Sequence, residues 1–186
     1  MKGVVFQEFI QMVESTFSPE MADQIIDASD LSTGGAYTCV GTYHHDEMVR
    51  LVVQLSTRTG IPVPALLHAF GKHLLGRFAL LYPRHFAGRT STFELLEVLD
   101  NKIHVEVRKL YPDAELPVFD HTFTAPGTMA FVYRSKRPFA DLASGLIAGC
   151  IDHFDERIEV TREDYPCESG SHSRFVLQKM ADATVP

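Results

Sequence analysis

The chain has 186 residues, of which 45% are hydrophobic, and its formal net charge is −7. This length fits one domain that can bury a core and enclose a cofactor, while the acidic balance argues against nucleic acid or an anionic membrane as a partner. No apolar run is long enough to span a bilayer, and the N-terminal residues differ from a secretory signal, so we expect a cytoplasmic protein.

Helical periodicity dominates the first part of the chain. Ser18 followed by Pro19 is a typical helix start, and Gly34-Gly35 marks a loop over 31–41. Apolar residues recur at helical spacing on either side of that loop. The pattern predicts helices over residues 3–17, 19–28, 44–59 and 62–82.

In the second part of the chain, the spacing of apolar residues changes from a helical period to a period of two after Tyr111-Pro112. Before this point, a helix is predicted over 92–110, with His104 beside its apolar stripe of Leu96, Leu99, Ile103, Val107 and Leu110. After it, a period of two predicts strands at 118–124, 129–135, 157–162 and 174–179, with a helix at 139–154. Helices followed by strands with short connections predict an α+β domain with a four-stranded antiparallel sheet. We expect one domain over 1–186, with a helical part at about 1–83 and a sheet part at about 84–180.

The segment Tyr133-Arg134-Ser135-Lys136-Arg137 carries hydrogen-bond donors on one face of a predicted strand. Alternate side chains of a strand share a face, so Tyr133, Ser135 and Arg137 project together. A phenol, a hydroxyl and a guanidinium suit a carboxylate or phosphate ligand. From spacing alone, an ordinary edge strand with polar surface residues is the favoured explanation.

Together with other parts of the chain, this Tyr-x-Ser-x-Arg segment resembles the haem-propionate motif of the H-NOX family. That family comprises haem-dependent nitric oxide and oxygen sensor domains similar to the sensor part of soluble guanylate cyclase. The resemblance also includes Ile103-His104-Val105, Leu116-Pro117 and Phe86-Ala87-Gly88-Arg89 in matching order. It implies an H-NOX fold in which haem is buried between the helical part and the sheet.

The resemblance further implies roles for individual residues. His104 matches the proximal haem ligand, Tyr133, Ser135 and Arg137 match the propionate clamp, and Pro117 matches the proline that presses on the haem. The haem would be haem b, held non-covalently, because the chain has no Cys-x-x-Cys-His segment. Positions that match the distal wall are all apolar: Val5, Phe9, Leu74, Phe78, Leu142 and Leu146.

Leu142 occupies the position that carries a donor tyrosine in oxygen-binding members of the family. The resemblance therefore implies a sensor, not an enzyme, that binds nitric oxide and carbon monoxide and discriminates against dioxygen. Nitric oxide would weaken the bond to His104 and release its helix. In bacteria the protein partner would be a histidine kinase or a diguanylate cyclase. If the match to the family were shifted by one residue on this helix, His73, beside Leu74, would lie in the distal pocket.

Two other interpretations are open. Cys150, His153, Cys167 and His172 together offer a ligand set suited to zinc, although they do not clearly match the cysteine positions of zinc-binding family members. Otherwise Cys150 packs in the core and Cys167 is an exposed thiol. A separate alternative is a haem-free module that binds a small molecule or senses redox state through thiols or zinc. An enzyme is disfavoured because no nucleophile motif, phosphate loop or carboxylate pair is present.

Overall fold

A computed structural model describes residues 1–180. Residues 181–186, which the single-domain prediction includes, lie outside the described part of the chain. The fold is α+β, as predicted, with an antiparallel sheet in the order β1-β2-β4-β3. Among residues 1–180, no helix is both long and apolar enough to cross a membrane.

The helices are α1 Gly3–Thr16, α2 Pro19–Ala28, α3 His45–Thr59, α4 Val63–Leu81, α5 Thr92–Val98, α6 His104–Leu110 and α7 Ala140–His153. The strands are β1 Val118–Ala125, β2 Thr128–Ser135, β3 Ile158–Asp164 and β4 Ser171–Lys179. A 3₁₀ turn covers Pro83–His85, and a π-helical turn covers Leu99–Ile103.

The loop between α2 and α3 is fastened by a buried carboxylate. Glu47 of α3 accepts hydrogen bonds from Ser32 Oγ at 2.5 Å, Thr33 Oγ1 at 2.7 Å and the Tyr37 hydroxyl at 2.6 Å. Burial alone would raise the pKa of Glu47, but these donors together hold it below its usual value. The Tyr37 ring stacks on Phe6 of α1, with ring centroids 4.3 Å apart. The loop is thereby held against the first turn of α1.

The predicted helix over 92–110 is helical throughout, but a π-helical turn at Leu99–Ile103 separates α5 from α6. One extra residue in a helical turn rotates all later side chains by about 100°. Leu110, at the end of the predicted apolar stripe, is 64% exposed. The same turn ends immediately before His104 and so sets the direction of that side chain.

Helices α4 and α7 pack closely because each has a glycine where the other approaches. A Cβ on Gly145 would lie 2.0 Å from the carbonyl oxygen of His68, and one on Gly71 would lie 2.4 Å from that of Leu142. Real Cβ atoms do not make such contacts, so the two backbones touch directly at this crossing. This contact fixes the positions of the apolar side chains that follow on both helices.

We therefore expect Gly145→Ala to lower the free energy of unfolding by about 1–3 kcal/mol, because the added methyl group must push α4 and α7 apart. Chemical denaturation followed by circular dichroism measures this change. Gly76→Ala on α4 is the matched control, since a Cβ there meets nothing within 4 Å. It should raise stability by up to about 1 kcal/mol. Equal effects of the two substitutions would contradict the proposed contact.

Candidate functional site

A cavity of about 400 Å³ lies between the helical half of the chain and the sheet. This volume is within the range of pockets that hold small molecules and cofactors. Mainly apolar side chains from α1, α4, α5, α6, α7, β1 and β2 form its walls. The predicted site residues that line it are Val5, Leu74, Phe78, His104, Pro117, Tyr133, Ser135, Arg137, Leu142 and Leu146.

His104 is the first residue of α6, and its side chain is only 12% exposed. Its Nδ1 lies 3.3 Å from Asp100 Oδ1, and its ring centroid lies 5.6 Å from that of Phe119. Burial lowers the pKa of His104, and the nearby Asp100 carboxylate offsets this only in part. A neutral imidazole with Nδ1–H directed to a carboxylate keeps its lone pair on Nε2, which is the usual arrangement of a metal-ligating histidine.

The polar edge of the cavity is built around Arg137, whose side chain is 13% exposed. Its Nη2 donates to Glu115 Oε2 at 3.1 Å, and its backbone N–H donates to Ser135 Oγ at 3.0 Å. Its Nε is buried and has no hydrogen-bond partner within residues 1–180. A buried donor of this kind is costly unless an acceptor meets it, so this edge fits a ligand that carries a carboxylate.

Tyr133 and Pro117 complete the wall next to this edge. Tyr133 of β2 is buried, and burial raises the pKa of its phenol, so it remains a neutral donor. It lies opposite Phe119 in the β1–β2 register, with ring centroids 5.5 Å apart. Pro117 lies immediately before β1 and also borders the cavity. The sheet therefore supplies one complete wall.

The opposite wall is apolar and comes from α1, α4 and α7. Val5, Leu74, Phe78, Leu142 and Leu146 lie on it. Phe9 lies elsewhere: it is fully buried in the core of the helical half, with its ring centroid 5.1 Å from that of Phe70. The cavity reaches only the first turn of α1, one turn before Phe9.

His73 does not border the cavity within the described residues, since it lies on the side of α4 that faces Glu8. Its Nε2 is 3.7 Å from Glu8 Oε2, too far for a hydrogen bond, whereas Arg77 Nε donates to the same oxygen at 2.6 Å. Burial is the main cause that lowers the pKa of His73. The residue thus belongs to a polar contact between α1 and α4.

Several cavity residues were not predicted from the sequence. Tyr82 and His85 follow α4 and bring polar groups to the rim, and Cys39 and Thr42 come from the loop before α3. Tyr82 is four residues after Phe78, so the helical period was a usable signal for it, whereas the loop residues gave none. Tyr82 is 40% exposed but Leu142 only 8%, so the unpredicted phenol lies at the solvent side of the cavity.

The four residues considered for zinc are not gathered into one ligand set in the described part of the chain. Cys150 is buried beside the cavity, and burial raises its pKa to about 12, which disfavours the thiolate that binds metal. The His153 ring packs against Phe86, whereas Cys167 is exposed in the segment between β3 and β4. Among residues 1–180, the one cluster of potential metal ligands is His44, His45 and Asp46.

Comparison with known proteins matches this geometry to one family. The haem-NO-binding family matches residues 2–162. The Fe(II) unliganded H-NOX protein from K. algicida is 35% identical, with a TM-score of 0.90 and 100% of each chain covered. A single-substitution mutant of that protein is 36% identical, with a TM-score of 0.91 and 98% of each chain covered.

A triple mutant of an H-NOX protein from S. oneidensis in the Fe(II) ligation state has a TM-score of 0.89, with 100% of each chain covered. At 22% identity, this likeness concerns the fold alone. The comparison with curated proteins returned no match.

Proposed function

This chain belongs to the haem-NO-binding family of haem-binding gas-sensor domains, and we propose that it binds nitric oxide and carbon monoxide at ferrous haem b and discriminates against dioxygen. The observation that carries this proposal is the pairing of a buried imidazole and a buried, partly unsatisfied guanidinium in one apolar cavity. The imidazole of His104 can ligate iron, and the guanidinium of Arg137, at the polar edge of the cavity, can bind the haem propionates. Bound haem would supply an iron centre that takes up diatomic gases and holds His104 less firmly once nitric oxide binds.

His104 would be the axial ligand, oriented by Asp100 through Nδ1. Tyr133, Ser135 and Arg137 would hold the propionates, and the unpartnered Nε of Arg137 is the donor that such a carboxylate would satisfy. Replacing Arg137 by Lys would keep the charge but lose the planar fork. Pro117, next to the cavity, would press on one face of the ring and influence its shape.

Gas selectivity would follow from the apolar wall. The binding of dioxygen to haem depends on a distal hydrogen-bond donor far more than the binding of nitric oxide or carbon monoxide does. The buried part of this wall consists of aliphatic and phenyl groups from Val5, Leu74, Phe78, Leu142 and Leu146. The phenol of Tyr82 lies at the exposed rim, where water competes for it.

Signalling would start when the His104 side chain becomes less tightly held. With a weaker bond to haem, the His104 imidazole would still be held by Asp100 and by packing against Phe119. The short helix α6 could then shift relative to the sheet, as in a two-state element biased by a ligand. A cytoplasmic histidine kinase or diguanylate cyclase is the partner class we propose to read this change.

An absorption spectrum of the reduced protein tests this function. Under argon, the Soret band should move when nitric oxide or carbon monoxide is added, and in air it should remain at the position of the unliganded protein. A shift in air would mean that a donor such as Tyr82 reaches the bound gas. A colourless protein that cannot be reconstituted with haem would favour the haem-free binding module instead.

His104→Gly should lose haem during gel filtration and recover it when imidazole is supplied, because the small ligand replaces the missing side chain. The ratio of Soret to protein absorbance measures retention. His153→Gly, which changes a histidine at the end of α7, should retain haem as the wild type does. Full retention by His104→Gly without imidazole would rule out the assigned ligand.

Leu142→Tyr should produce a Soret shift in air, since it places a phenol on the buried part of the distal wall. Leu142→Phe is the matched control, because it adds a ring of similar size without the hydroxyl. The tyrosine variant should also release dioxygen more slowly than the phenylalanine variant in a stopped-flow experiment. The same behaviour of both variants would show that selectivity does not depend on a donor at this position.

A further inference from the structure

A second concave surface lies beside the polar edge of the cavity, where β2 ends and β4 begins. Its volume is about 540 Å³. We call it the basic groove and define it by Arg108, Arg134, Lys136, Arg137 and His172. Arg134 pairs with His172 in the β2–β4 register, so two of its members are neighbours across the sheet.

The basic groove concentrates positive charge on an acidic protein. Four Arg and Lys side chains line it against one carboxylate, that of Glu115, although the whole chain has a net charge of −7. Glu115 is already engaged by Arg137 at 3.1 Å. Such a local excess of cations creates a positive potential that attracts anions.

Ion pairs within the described chain do not engage all the cations of the basic groove. Arg134 forms an ion pair with Asp120, but Lys136 has no ion-pair partner within residues 1–180. Arg108 makes only a 3.4 Å contact with the backbone carbonyl of Asp100. The free donors therefore come from two separate elements, α6 and the end of β2.

The shape of the groove depends on the segment before β4. Gly170 has φ of +82°, and a Cβ there would lie 2.0 Å from the carbonyl oxygen of Ser135. Only glycine allows this close approach. It brings the hydroxyl-bearing residues Ser169 and Ser171 to the groove wall, opposite the cations of β2.

We propose that the basic groove binds a small anion that carries more than one phosphate group. Arginine forks and a lysine suit phosphate oxygens, and serine hydroxyls add donors. The donors are distributed over several elements, so a single phosphate would leave some of them unmet. The apolar side chains in the groove are Ala114, Leu116, Val118 and Cys167, too few to anchor a docked peptide helix.

The groove shares Ala114, Glu115, Leu116, Ser135 and Arg137 with the cavity. An anion in the groove would compete with Glu115 for Arg137 and so alter the donor at the polar edge of the cavity. This coupling, unlike the anion site itself, rests on the proposed haem function. A change in the Soret band on addition of the anion would report it separately.

Isothermal titration calorimetry with pyrophosphate at low ionic strength tests the anion site without any reference to haem. Wild type should bind one equivalent saturably and bind orthophosphate more weakly. The double variant Arg134→Gln with Lys136→Gln should weaken binding on the order of tenfold or more, because charge-assisted hydrogen bonds are lost. Lys136→Gln alone, at an exposed side chain, should weaken binding measurably without affecting the fold.

The control is the double variant Arg50→Gln with Arg58→Gln on α3, in the helical half. It removes two positive charges, as the groove double variant does. Its affinity should stay within about twofold of wild type, since remote surface charges are screened. No binding of pyrophosphate to wild type, or an equal loss in the control, would overturn the proposal. Binding of a polyglutamate peptide more tightly than pyrophosphate would also overturn it, in favour of an acidic protein partner.

Discussion

The incomplete hydrogen bonding of Arg137 is the constraint on which both the cavity and the basic groove depend. A guanidinium is charged at every relevant pH, and burying it is costly unless its donors are met. Glu115 meets one nitrogen, whereas Nε has no partner in the described chain. The protein therefore holds a donor ready for an anionic group. The same cation also borders the groove, so a single side chain links the two surfaces.

Two features of the backbone keep the cavity open and aligned. The glycine contacts between α4 and α7 bring these helices together and leave their later apolar residues on the cavity wall. The π-helical turn before α6 directs His104 toward the sheet. Neither feature adds polar groups to the interior. The cavity can therefore remain largely apolar while its few polar residues lie at defined points.

Sequence patterns predicted the elements well, because the amphipathic period and helix-start residues such as Ser18 are local signals. They did not predict the π-helical turn, since the apolar period was assumed to continue unchanged through Leu110. Arg134 and Lys136 could be assigned to the opposite strand face from Arg137. Their meeting with Arg137 in one groove depends on the approach of Gly170 to Ser135, a long-range contact that no local pattern reveals. Phe9 and Val5 share a helix face, but the extent of the cavity along α1 depends on tertiary packing.

The segment in which we propose that the signal starts, the π-helical turn together with α6, has few buried contacts. Neither the π-helical turn nor α6 contains a fully buried residue, whereas α4 and α7 contain many. Segments with few buried contacts open at lower free energy than the rest of a protein. Besides His104, α6 is restrained by surface ion pairs such as Arg84 with Glu106 at 3.5 Å, which contribute little. Under the proposed haem function, the bond to His104 would therefore be a main restraint on the position of α6.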